Sequence, residues 1–253
     1  MEIFTDWMGF GGAGEMWSRW FHYLAGVTWI GLLYYFNFVQ VPAFAEMSDA
    51  SRSEALRKIT WRALWWFRFG ALLTFLTGVL ILGFQRALGS DFGDYWGTSR
   101  GLSIAWGSIL GTTMFLNVWL IIWPAQKIAI GSAESVAAGG QPDPEAAAAA
   151  KRAARASRAN TLFSIPMLWF MGFTSHFSFR FDAIPGSGKL WVAWIIFLVT
   201  WAFTEASALG WLGGYDSRQN KLMFDDHRNT IVAGFVLWAV LFFIGYEAVI
   251  GGA

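Results

Sequence analysis

Hydrophobic positions in this chain come in long, almost unbroken runs, not in the one-sided or alternating patterns of a soluble fold. Six runs reach the length a bilayer-crossing helix needs, about 20 mostly apolar residues. They lie near Trp17–Val41, Trp66–Arg86, Leu102–Trp123, Thr161–Phe179, Leu190–Trp211 and Thr230–Ile250. The polar breaks predict further elements. Residues 42–62 have room for a short surface helix. Residues 143–158 open on Asp143 and Pro144, suited to an N-cap and a first helical position. They continue through alanines to Lys151, Arg152, Arg155 and Arg158, which predicts a water-exposed helix feeding the fourth span. The expected fold class is all-α, an integral membrane bundle of six transmembrane helices in a single domain, 1–253.

Charge then sets an expected orientation, because Lys and Arg concentrate in cytoplasmic connections. The first connection holds Arg52, Arg57, Lys58 and Arg62; the third holds Lys127 and the cations of the alanine-rich helix; the fifth holds Arg218, Lys221 and Arg228. The even connections carry only Arg86 and Arg100, then Arg180 and Lys189. Odd connections are expected in the cytoplasm and both termini in the periplasm, in a bacterial inner membrane. Met1 to Met16 lacks the basic start and apolar core of a cleavable leader, so the first span is expected to be an uncleaved anchor. Tryptophans near span ends, among them Trp17, Trp20, Trp61, Trp66, Trp123 and Trp211, fit interfacial belts. Gly107 and Gly111 form a small-xxx-small step for close helix packing.

Composition narrows the chemistry. Charged residues are 14% of the chain, well below the roughly 25% of a soluble domain, and 56% are hydrophobic. A net charge of +1 gives no electrostatic basis for nucleic-acid binding. With no cysteine there are no disulfides, thiolate metal sites, iron–sulfur clusters or covalently attached c-type haem.

Ionisable residues at membrane depth are then the candidates for function. His22 and His176 each fall about one turn inside the same expected face, with Arg19 three residues before one and Arg180 four after the other. Paired imidazoles on antiparallel helices, with cations at the rim, suit a haem b: His22 and His176 on the iron, Arg19 and Arg180 toward its propionates. Bulky apolar or aromatic flanks suit a porphyrin face, and Gly26 and Gly172, four positions inward from each histidine, leave room for the ring. Three rival readings stand beside this one: histidines that only bond neighbouring helices, arginines that only snorkel to headgroups, and one ligand with a substrate site. His227, in Asp225-Asp226-His227, reads as part of a carboxylate-rich helix start, with a metal site as the alternative. Glu205, with Asn117, Asn37 and Gln40, predicts a polar cluster toward the cytoplasm that is either interhelical glue or a proton entry.

Several strings carry a resemblance. They are Trp20-Phe21-His22-Tyr23 with Val27-Thr28-Trp29-Ile30-Gly31, Trp66-Phe67-Arg68, the stretch from Asn117 through Pro124 to Lys127, and Asn160-Thr161-Leu162 on through Pro166 to His176. Together they resemble the membrane domain of bacterial membrane-bound urate hydroxylases, the urate oxidase N-terminal family. The resemblance implies an integral membrane oxidoreductase acting on urate and passing electrons to a cytochrome c. Of that family's histidines it matches His22 and His176, and it implies a shortened member without the C-terminal cytochrome c domain. Three functions follow as expectations. One is haem-based electron transfer beside a periplasmic cytochrome c or within a larger membrane redox complex. A second is an enzyme acting on urate or a porphyrin, and a third is a cofactor-free structural subunit.

Overall fold

The computed structural model describes residues 7–8, 11–177, 181 and 183–251. Every regular element among them is helical. This is what long apolar runs dictate: away from water a backbone must satisfy its own N–H and C=O groups, and a helix does so within one segment. The elements are α1 (Ala13–Tyr34), α2 (Val41–Glu46), α3 (Asp49–Ala55), α4 (Trp61–Phe84), α5 (Phe92–Trp96), α6 (Ser99–Leu116), α7 (Trp123–Ala137), α8 (Ala146–His176), α9 (Ser187–Ala208), α10 (Arg218–Phe224) and α11 (His227–Ala239). Four π-helical stretches, Tyr35–Gln40, Leu56–Thr60, Asn117–Ile122 and Val240–Ala248, extend these into longer rods. Two of them lead into Pro42 and Pro124, each in the first turn of the next helix. A proline ring clashes with the carbonyl four residues earlier, and a widened turn relieves that clash without ending the rod.

The rods are therefore longer than the apolar runs. The surface helix expected in 42–62 is divided between the end of the first rod and α3, which runs through a π turn into α4. The helix expected at 143–158 is the first half of α8 and begins at Ala146.

Five rods are long and apolar enough to cross a membrane: Ala13–Glu46, Asp49–Phe84, Ser99–Ala137, Ser187–Ala208 and His227–Ala248. The expected count of six is met only in part, because α8 falls short on apolarity. The reason lies in its position. α8 packs against α1, α6, α7, α9, α10, α11 and the 117–122 stretch. Asn160, Thr161, Ser164 and Thr174 are buried against protein. A helix surrounded by other helices has no need of a lipid-compatible surface.

Tight helix crossings depend on glycine. A Cβ at Gly107 would stand 3.0 Å from Met171 Cγ, so this position sets how closely α6 approaches α8. A Cβ at Gly234 would lie 2.9 Å from the Leu162 carbonyl oxygen, which fixes α11 on α8 in the same way.

The antiparallel order gives the bundle two unlike ends. At one, Asn117 Nδ2 donates to Asn160 Oδ1 (3.0 Å) and to Glu205 Oε2 (3.3 Å), while Asn160 Nδ2 donates to the Met114 carbonyl (2.9 Å). Asn37 and Gln40 belong to this end but bond elsewhere, to Ser157 and Thr60. Beyond them α8 is latched to the α10–α11 corner by an Arg155–Asp225 ion pair and by Arg158 Nη1 donating to the Phe224 carbonyl at 2.7 Å. The Arg155 hydrogen bond holds the Asp225 carboxyl below the usual carboxylate range. Asp226 precedes α11 but makes no side-chain cap; its carboxylate meets His227 Nδ1 at 3.0 Å. The expected carboxylate cap is thus replaced by an ion pair and a histidine contact. Among the described residues no cluster of three metal-binding side chains occurs, so the alternative metal reading of Asp225, Asp226 and His227 has no ligand set here.

Candidate functional site

At the opposite end α1, α4, α6 and α8 enclose a cavity of about 540 Å³. That volume lies within the range of small-molecule sites, about 300–1,000 Å³. His22 lies in its wall, with Gly26, Gly78, Gly111 and Gly172. A Cβ at Gly26 or Gly172 would meet nothing within 4 Å, so both glycines border open space. Exposed Tyr23, Val27 and Leu168 also line the cavity, which opens sideways onto the apolar surface of the bundle.

His22 is held from α4. Its Nδ1 lies 3.1 Å from Thr77 Oγ1, and its Cε1 would be 3.3 Å from a Cβ at Gly78. The Thr77 hydroxyl is within 2.6 Å of the Leu73 carbonyl and 3.0 Å of the Thr74 carbonyl. Carbonyls only accept, so the single hydroxyl proton goes to one of them and the Thr77 oxygen accepts from His22 Nδ1–H. In the neutral ring this leaves the Nε2 lone pair for another group. A methyl at position 78 would require the imidazole to give way by a few tenths of an ångström.

His176 ends α8. Its Nδ1 donates to the Gly172 carbonyl at 2.8 Å, again leaving Nε2 with the lone pair. It is exposed and stands one residue beyond Ser175, the last α8 residue lining the cavity. The structure thus brings His22, Gly26 and Gly172 to one cavity and sets His176 next to that wall, outside the lining. Arg180 lies outside the described residues.

The mouth is polar. The buried Glu15 carboxylate accepts from Gly11 N, Arg19 Nε and Gln85 Nε2, each at 2.8 Å. Tyr95 Oη donates to Gln85 Oε1 at 3.0 Å, and Arg100 bonds to Tyr95 in turn. Burial pushes the Tyr95 phenol up despite that nearby cation. Arg19 lines the cavity as expected, yet its guanidinium is already paired with Glu15 at 2.7 Å. Arg100, not singled out from sequence, also lines the cavity, and no carboxylate among the described residues ion-pairs with it. Thr77 and Gln85 were likewise missed, although polar side chains at either end of an apolar run were a legible signal. A second hollow of about 420 Å³ lies at the Glu205 end between α8, α9, α10 and α11, and its lining contains no ionisable side chain.

A membrane-type helical bundle with a ligand-sized cavity beside an oriented histidine is the class these features define. Residues 94–206 match the family model described as urate oxidase N-terminal, so that stretch of the chain is similar to this family. The matched stretch runs from α5 to the end of α9, so it includes Arg100 and His176 and leaves out Arg19 and His22. No curated protein and no solved structure matches the chain.

Proposed function

We propose that the chain is a membrane-embedded haem b protein that transfers electrons at the His22 end, with His22 and His176 as the axial ligands. The observation that carries this reading is the His22 lone pair, freed by Thr77, in the wall of a cavity that Gly26 and Gly172 leave open. Ligating histidines almost always donate their other N–H to a fixed acceptor, as His22 does to Thr77 and His176 to Gly172. Arg100, which lacks a carboxylate partner among the described residues, and Arg19 at the mouth would face the propionates. When bound, the haem would supply reversible one-electron exchange. The protein's own part is to orient the imidazoles, exclude water with apolar walls and neutralise anionic groups at the mouth. The electron partner would be a periplasmic cytochrome c or a larger redox complex, with the His22 end facing the periplasm of an inner membrane.

A reduced-minus-oxidised optical spectrum of the purified protein tests this. Sharp low-spin bands that His22→Ala removes and His176→Ala converts to a high-spin form are expected; a colourless protein that takes up no added haem would end the proposal. The family match favours a second reading, oxidation of urate at the same cavity, since that match extends over Arg100 and the α6 and α8 walls. Urate consumption with an added cytochrome c as acceptor checks it.

A further inference from the structure

Arg68 belongs to the membrane-crossing rod Asp49–Phe84, yet no carboxylate among the described residues ion-pairs with it. Aromatic faces surround it instead. The guanidinium carbon lies 3.8 Å from the Trp123 ring centroid, 4.7 Å from Phe69 and 5.5 Å from Trp119. Trp119 Nε1 donates to the Arg68 carbonyl at 3.2 Å, and Trp61 stacks with Trp123 at 5.0 Å, so the cage is itself braced. Ring faces answer the positive charge but accept few hydrogen bonds, and a guanidinium presents five N–H donors. Its Nε is buried without a partner. A cation at membrane depth is expensive and calls for an anionic partner.

The surroundings indicate which anion. Trp61, Trp65, Trp66 and Trp123 cluster around this end of α4, and tryptophan concentrates at the headgroup level of a bilayer. Lys127, one turn beyond Trp123 on α7, is exposed and also lacks an ion-pair partner among the described residues. Basic pockets between membrane helices are suited to anionic lipid headgroups, and guanidinium matches phosphate oxygens in pairs. We infer that Arg68 in its aromatic cage, with Lys127 one turn beyond Trp123 on α7, binds the phosphate of an anionic phospholipid in the leaflet at the Glu205 end. This site is separate from the cavity and stands whether or not haem binds there.

The test uses the full chain in nanodiscs of phosphatidylcholine alone or mixed with phosphatidylglycerol, with retained lipid counted by native mass spectrometry after detergent extraction. Wild type should retain phosphatidylglycerol over phosphatidylcholine by about tenfold, the scale of one charge-assisted pair. Arg68→Gln should abolish that preference, and Lys127→Gln should reduce it about threefold. Equal retention of both lipids by the wild type would overturn the inference, and that arm needs no variant to fold. Preference unchanged in a folded Arg68→Gln, displacement of the lipid by millimolar inorganic phosphate, or a co-purifying protein in its place would overturn it equally.

Discussion

The two ends of this bundle are built from the same rods and solve packing in opposite ways. At the Glu205 end, Asn117, Asn160, Asn37 and Gln40 bridge helices by hydrogen bonds, and arginines of α8 clamp the α10–α11 corner. At the His22 end, Gly26 on α1 and Gly172 on α8 border open space, and the polar groups gather at the mouth. Amides that bond each other hold helices in register. Glycines that meet nothing leave room for something else. The contrast places rigidity at one end and ligand capacity at the other.

That division can be broken from either side. The largest effect should come from filling the cavity: Gly26→Phe should abolish ligand uptake while leaving the melting temperature nearly unchanged, measured by haem titration and by thermal unfolding. A large drop in melting temperature would mean that the void is structural. Next, Thr77→Val removes the acceptor that orients His22 and should weaken binding about 10–100-fold, the usual cost of losing such a support; Thr77→Ser should restore most of it.

Asn160→Ala acts on the other end. It leaves Asn117 and the Met114 carbonyl short of partners, and should destabilise the fold by about 1–3 kcal/mol in reversible unfolding with the cavity's ligand affinity unchanged. The smallest effect is a pH dependence. Asp225 has its folded carboxyl pKa depressed by Arg155, so its contribution is present above the unfolded value and disappears as pH falls through the folded one. Because Asp225 is half exposed, the contribution is modest. Asp225→Asn should flatten the loss of stability below about pH 4, read from denaturant midpoints.

Much of this was legible in the chain. The helical class, the positions of the membrane-crossing runs and the grouping of His22 with Gly26 and Gly172 follow from hydropathy and from counting turns. The Glu205–Asn117 contact was also readable, as paired polar residues at one depth. Three things were not. The rods run beyond the apolar stretches because polar turns continue a helix wherever nothing stops it, as where α7 carries the third rod on to Ala137. α8 reads as one span among equals, although it is the axis of the bundle. Arg19 reads as a free cation, but Glu15, one turn earlier in the acidic stretch before the first apolar run, already holds it.

Sequence alone determined that this protein is a bundle of long apolar helices and which end of it each histidine occupies, because hydrophobic length and helical rise are local properties. Only the tertiary structure decided that α8 is surrounded by its neighbours, that Thr77 selects the His22 tautomer, and that Arg100 instead of Arg19 is left without a carboxylate among the described residues. Those outcomes depend on which faces of separate helices meet, and no single run of residues encodes its neighbours.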